Sequence, residues 1–366
     1  MFERRLQALK DLQISYSLDC LALVPGANLF YLTGLQKFLS ERPIVAFLPI
    51  EGVPLLLLPA FEATGLEKAL TFEARFYTYT DEQGYASALA GACRELNLGG
   101  ACLGVEYLTM RVLERQIIGE AAPNVRFENA DGLMTTLRVR KDATEVEALT
   151  KAAHINGQAF RQLMQMIRPG QTEKQLATAY QMAAWQAGAE GFAFNPLIVA
   201  GPNAASAHSY PSDRPIRDGE LVVVDCGVRY GGYCSDITRT LAVGSVSEEW
   251  AHIYGIVRRA NEAGRAFARP GVTAQEIDRV TRKVIREAGY GEYFTHRTGH
   301  GLGLEVHESP YIVEGSELIL QSGMVFTVEP GIYIPGSGGV RIEDNVLLTE
   351  TGATTLTDLP RDLISL

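Results

Sequence analysis

Two widely separated segments of this chain follow one pattern: DGELVVVDCG at Asp218–Gly227 and SGMVFTVEPG at Ser322–Gly331. In each, a glycine (Gly219, Gly323) stands six residues before an acid (Asp225, Glu329), and a second glycine (Gly227, Gly331) follows the acid by two. Each segment then turns through further glycines into a second strand that carries another acid, Asp236 or Glu343. The apolar runs LVVVD and VFTVE end on carboxylates, and a carboxylate in a β-core is costly to bury without a counter-charge. A pattern that occurs twice calls for two related β-hairpin units within one domain, not a solenoid.

Strand parity extends the argument. In an antiparallel pair the numbers of facing residues sum to a constant, and the parity of that sum decides which residues share a face. A two-residue turn at Tyr230-Gly231 or Gly231-Gly232 makes the sum odd, which puts Asp225 and Asp236 on one face. An odd-length loop centred on Gly336 makes the second sum even, which puts Glu329 and Glu343 on one face as well. A single acid of this kind is most simply a solvated strand end. Four on a repeated same-face pattern would repel one another strongly, and bound divalent cations are the simplest neutraliser.

Of the six histidines, His208, His296, His300 and His307 fall shortly before the first hairpin or between the two. His154 and His252 fall on predicted helices and are given no role. His300 lies in GHGLGLEVHE, where Gly299, Gly301 and Gly303 would let backbone come close to a metal or substrate. The glycine spacing is not that of a dinucleotide loop, and no strand–turn–helix unit surrounds it. One imidazole with four carboxylates suits Mn, Co, Fe or Zn better than a thiolate-seeking metal. Cys226 adjoins Asp225 and should point to the opposite face, into the core. Cys234 should share the face of Asp236; packing is the expected role for it too.

Outside these motifs the chain reads as α+β. Residues 1–131 are predicted to form a smaller α/β accessory domain. Its opening helix has Phe2, Leu6, Leu9 and Leu12 on one stripe, and strands follow at Cys20–Val24, Ile44–Leu48, Pro54–Leu58 and Ala101–Val105, with a helix at Ala86–Leu96. This part holds no histidine, so its job is architecture, assembly or access. Residues 132–366 are predicted to be the catalytic domain. Asp142 with Glu145 three residues on forms a capping-box pattern opening a helix to Met166. Helices at Glu173–Gln186, Ala251–Ala268 and Ala274–Ala288 accompany strands at Leu221–Val224, Tyr233–Val243, Met324–Val328 and Val340–Thr349. With 33 Lys+Arg against 43 Asp+Glu the net charge is −10, which argues against nucleic acid or an anionic membrane as partner. No apolar run approaches the roughly 18 residues of a membrane span. Five scattered cysteines without CxxC spacing, and an N-terminus without an apolar signal region, point to a reduced, cytoplasmic protein.

The ordered set Asp225, Asp236, GHGLGLEVHE, Glu329-Pro330-Gly331 and Arg341-Ile342-Glu343-Asp344 resembles that of the pita-bread metallopeptidases, which include methionine aminopeptidase, aminopeptidase P and prolidase. The likeness spans Arg138–Asn345. The NLFYLTG stretch at Asn28–Gly34 is similar to the creatinase/prolidase-type accessory domain, which methionine aminopeptidases normally lack. The resemblance implies a pita-bread catalytic fold, a homodimer and two divalent metal ions, manganese foremost, with Co, Zn or Fe as alternatives. Asp225 would be bidentate to one ion, Asp236 and Glu343 would bridge, and His300 and Glu329 would lie on the second. Glu329 would also shuttle the proton of a water shared by the ions. His208 and His307 would hold the substrate carbonyl and stabilise the tetrahedral intermediate. His296 would be a pocket or purely structural residue, and Arg341 would orient Glu343 or Asp236.

The accessory domain points to peptides with proline second, cut at the Xaa–Pro bond. Aminopeptidase P takes longer Xaa-Pro peptides, whereas prolidase takes the dipeptide and must neutralise its terminal carboxylate. Some prolidases carry an arginine directly after HExP; here His307-Glu308-Ser309-Pro310 is followed by Tyr311. The expectation is therefore an aminopeptidase P, with Xaa-Pro dipeptidase (prolidase) as the alternative. A non-catalytic scaffold on this fold, or a creatine-type amidinohydrolase, should lack several of the five ligands, so both are disfavoured.

Overall fold

The structure is a computed structural model and describes residues 2–66 and 70–366. Two compact units divide between Arg138 and Val139. This lies beyond the division expected after residue 131, because the helix Asp131–Arg138 buries Leu133 and Met134 within the first unit, beside the N-terminal helix.

The first unit is built on a six-stranded mixed sheet in the order Arg75–Tyr79, Leu55–Pro59, Val45–Pro49, Cys20–Leu23, Cys102–Val105, Arg126–Asn129. Its opening helix, Phe2–Ser15, buries Leu9 together with Arg5 and Gln13. The expected stripe of Phe2, Leu6 and Leu12 is only half-buried. Polar side chains take its place, each donating to a backbone carbonyl: Arg5 to that of Tyr31, whose ring it also covers, and Gln13 to that of Leu48.

The second unit repeats one order of elements. Helices Ala143–Met166 and Glu173–Gln186 precede strand Leu197–Ala200, strand Leu221–Cys226, the hairpin Val228–Tyr230/Tyr233–Cys234 and strand Ile237–Ala242. Helices Glu248–Phe267 and Ala274–Glu287 then precede Gly299–Gly301, Val325–Val328, the hairpin Gly331–Ile334/Gly338–Arg341 and Asp344–Leu348. The hairpin repeat is thus the visible part of a longer one. The first helix begins on the Asp142–Glu145 capping box, in which each side chain bonds the other's backbone N–H. Each helix pair packs its apolar side on its own strands: Ile155, Phe160 and Leu163 with Val222 and Val224 in the first half, and Ile277 with Phe326 and Val328 in the second.

The register agrees with the parity argument. Arg229 faces Cys234 and Tyr230 faces Tyr233, so the turn is Gly231-Gly232, and both glycines have positive φ (58° and 83°). Two successive positive φ values are what a tight turn matching the strand twist requires. The same register makes Asp225 the partner of Thr238, diagonal to Asp236. In the second hairpin Val328 faces Asp344 and Gly331 faces Arg341, so the shared register sets Glu329 opposite Glu343.

Two expected strands, Tyr233–Val243 and Val340–Thr349, are each broken at their acid. At Asp236 the Asn345 side-chain amide replaces the ladder, accepting from the Asp236 N–H and donating to its carbonyl. At Glu343 the backbone N–H instead donates to the Thr238 carbonyl, 3.0 Å away, in the other half. Each break aims a carboxylate at the opposite repeat.

Candidate metal centre and surrounding pocket

A cavity of about 800 Å³ opens between the two repeats of the second unit. All nine residues singled out from the sequence line it: Asp225, Asp236, His300, Glu329, Glu343, His208, His296, His307 and Arg341. Among the described residues, Asp236, His300 and Glu343 each offer a ligand atom within 4.8 Å of the others, and all three are buried. His300 Nε2 stands 3.2 Å from Glu329 Oε1 and 3.7 Å from Asp236 Oδ2.

The chemistry of the donors tests whether this set fits divalent cations. Asp225 Oδ1, Asp236 Oδ1 and Glu343 Oε1 are buried and accept no hydrogen bond. An orphaned buried carboxylate oxygen is expensive, and three converging on one cavity are what a cation would satisfy. Their electrostatics agree. Burial, then the Glu343 and Asp225 charges, push the Asp236 pKa well above the carboxylate range. Burial, then the Glu329 and Asp225 charges, do the same to Glu343. Burial also raises Asp225, against the opposing pull of Arg341. The residues fit the cations.

Three further oxygens, one each on Asp225, Glu343 and Glu329, are held by Arg341 and by two threonines that the sequence did not single out. Thr238 Oγ1 donates to Glu343 Oε2 at 2.7 Å and accepts from Arg341 Nε at 3.1 Å. Thr327 Oγ1 donates to Glu329 Oε1 at 3.2 Å and accepts from the His300 N–H. Arg341 was expected to orient Glu343 or Asp236; its guanidinium instead pairs with Asp225 Oδ2 and reaches Glu343 only through Thr238. That contact leaves Oδ1 as the uncommitted oxygen of Asp225, an acid expected to offer both. Arg341 also donates to the Tyr333 hydroxyl at 2.7 Å, which in turn lies 2.9 Å from His296 Nε2. With His296 Nδ1 2.8 Å from the Arg297 carbonyl, the consistent arrangement is Nδ1–H donating there and Tyr333 O–H donating to Nε2. Burial keeps this imidazole neutral, lowering its pKa.

The glycines of GHGLG are closely packed by their neighbours. A Cβ at Gly299 would stand 1.9 Å from the Thr327 carbonyl oxygen, and one at Gly301 2.1 Å from the Ser309 carbonyl oxygen. At Gly303 it would meet the Glu308 carboxylate at 2.4 Å. The small residues let neighbouring strands and Glu308 close on the His300 segment. Glu308 itself is tied to Lys141 Nζ at 2.6 Å, an ion pair buried on both sides.

His307 stacks edge-on against His300 with ring centroids 4.2 Å apart. Partial desolvation, then the His300 and Arg297 charges, push its pKa down to about 4. His208 lies exposed on the turn after the short helix Gly201–Ala205. Cys226 joins the apolar core, and Cys234 is buried with its thiol toward the Leu304 carbonyl. His154 and His252 are exposed and do not line the cavity.

Residues 147–350 match the model of metallopeptidase family M24, and residues 5–140 match that of the creatinase/prolidase N-terminal domain. A probable dipeptidase PepE of Mycobacterium tuberculosis is 37% identical over 371 residues, covering all of this chain and 96% of that protein. The solved structure of a prolidase from Thermococcus sibiricus is similar at TM-score 0.94 and 36% identity, over all of this chain and 99% of that one. An X-Pro aminopeptidase from Thermotoga maritima is similar at TM-score 0.85 and 32% identity, over 96% of this chain and 98% of that one.

Proposed function

We propose, for a chain that belongs to metallopeptidase family M24 and carries a creatinase/prolidase N-terminal domain, that it is an Xaa-Pro dipeptidase of the prolidase type. The observation that carries this reading is its whole-length likeness to dipeptidases and a prolidase, around a pocket holding the full set of five ligands. It departs from the aminopeptidase P expected from Tyr311, since the aminopeptidase structure is the less similar of the two solved relatives compared.

Asp225, Asp236, His300, Glu329 and Glu343 would hold two divalent cations, with manganese the first to test. When bound, the cations lower the pKa of a coordinated water and polarise the scissile carbonyl. Glu329 is kept ionised: burial works against it, but the His300 contact and nearby positive charge bring its pKa down to about 2. An ionised carboxylate at this place takes a proton from water and hands it to the leaving imino nitrogen. His307, neutral at working pH, donates an N–H toward the oxygen that gains charge, and His208 closes the cavity from its rim. The Arg341–Tyr333–His296 chain fixes Asp225 on one side and the Arg297 backbone on the other. The fold of five buried free thiols suits the cytoplasm, and a homodimer is part of the same proposal.

The test is hydrolysis of an Xaa-Pro dipeptide and an Xaa-Pro-Yaa tripeptide by chelated and manganese-reconstituted protein, with Asp236→Ala as control. Metal-dependent cleavage favouring the dipeptide is expected. A tripeptide preference would make the enzyme an aminopeptidase P.

A further inference from the structure

We infer that Arg297 binds the terminal carboxylate of the substrate and so limits it to a dipeptide; the inference rests on the prolidase reading. Two arginines line the cavity. Arg341 is committed to Asp225, Tyr333 and Thr238. Arg297 has no carboxylate partner among the described residues; its guanidinium lies over the Tyr311 ring, 4.7 Å from the centroid. A stacked guanidinium keeps its N–H edges free for a carboxylate while its position is restrained.

The charge balance of the site calls for such a residue. Asp225, Asp236, Glu329 and Glu343 together match the charge of two divalent cations. The centre is then formally neutral, and a dipeptide's carboxylate needs a cation of its own. Volume does not select chain length either, since about 800 Å³ admits more than a dipeptide.

The position is also built. Before Arg297, the His296 ring bonds the Arg297 carbonyl. After it, buried Thr298 donates through its hydroxyl and its N–H to Asp278 Oδ1, at 2.7 and 3.2 Å. Tyr311, which Arg297 covers, is the strand partner of His300. The cation therefore sits beside the strand pair that carries a metal ligand. The missing anchor at position 311 is replaced by one from the adjoining segment, which stacks on that tyrosine.

The test compares wild type, Arg297→Ala and Arg297→Lys, all manganese-loaded, on alanyl-proline and alanyl-prolinamide. Free proline and prolinamide serve as competitive inhibitors. Wild type is expected to prefer the acid in both series. Arg297→Ala should lose about 10- to 100-fold in kcat/KM on the acid, mainly through KM, the scale of a lost charge-assisted pair. Its activity on the amide should fall far less than its activity on the acid, so that the acid preference is lost, and Arg297→Lys should recover part of that preference. An equal loss on acid and amide would make Arg297 structural and overturn the inference, as would an Arg297→Ala enzyme that keeps the acid preference. Failure of the prolidase reading looks different: wild type itself would favour Ala-Pro-Ala over Ala-Pro and not distinguish acid from amide, and the inference would fall with it.

Discussion

The carboxylates of the cavity are individually unfavourable and jointly informative. Glu343 keeps one oxygen bonded to Thr238 and leaves the other buried without a partner. In chelated protein its charge should therefore cost stability, and Glu343→Gln should melt no lower than wild type. Manganese should raise the wild-type melting temperature and leave that of Glu343→Gln nearly unmoved, which differential scanning fluorimetry would show. Thr238 offers a finer test, because it links Arg341 to Glu343 without touching the cation. Thr238→Val should weaken metal affinity about 10- to 100-fold, read by competition with a chelating dye, and should also lower the melting temperature of the chelated protein, because Glu343 Oε2 and Arg341 Nε lose their buried partner. Unchanged affinity would show that Glu343 needs no orienting donor. The four acids and His300 are legible in the sequence because each sits at a fixed offset from a glycine or a strand end. Thr238, Thr327, Tyr333 and Arg297 are not, since ordinary residue types acquire roles only where strands from two repeats cross.

At the scale of elements, the breaks in two strands do the positioning. Apolar periodicity runs on through Ser235-Asp236 and Ile342-Glu343, so pattern alone reads continuous strands there; the partners that interrupt them, Asn345 and Thr238, are remote in sequence. The same crossing creates the buried hub at Asp344, which pairs with Arg239 and Arg361 at 2.7 Å and with Arg265 at 3.4 Å. Asp344→Asn would strand buried guanidinium charge and should cost about 3–5 kcal/mol in urea denaturation. Burial opposes ionisation of Asp344, but Arg239 and Arg361 prevail and hold its pKa below the ordinary 3.8. Its contribution is thus present above pH 3.8 and lost as the pH falls through the lower folded value, so the difference from Asp344→Asn should narrow only in strong acid. Gly299→Ala tests the close approach of strands. With a Cβ 1.9 Å from the Thr327 carbonyl, it should cost about 1–3 kcal/mol and displace His300, lowering metal affinity as well.

Across the whole molecule, neither repeat of the second unit owns the centre. The first supplies Asp225 and Asp236, and the second supplies His300, Glu329 and Glu343. Assembly of the site is thus a property of the two repeats closing on each other, and cation binding should stabilise that closure. The most direct measurement is elemental analysis of protein stripped with chelator, dialysed against manganese and freed of excess ion. Close to two equivalents per chain are expected for wild type, with a clear loss for Asp236→Asn, which removes charge from the middle of the cluster without changing its size. Wild type that retains no stoichiometric manganese, cobalt, zinc or iron, or Asp236→Asn that retains the full complement, would contradict that expectation.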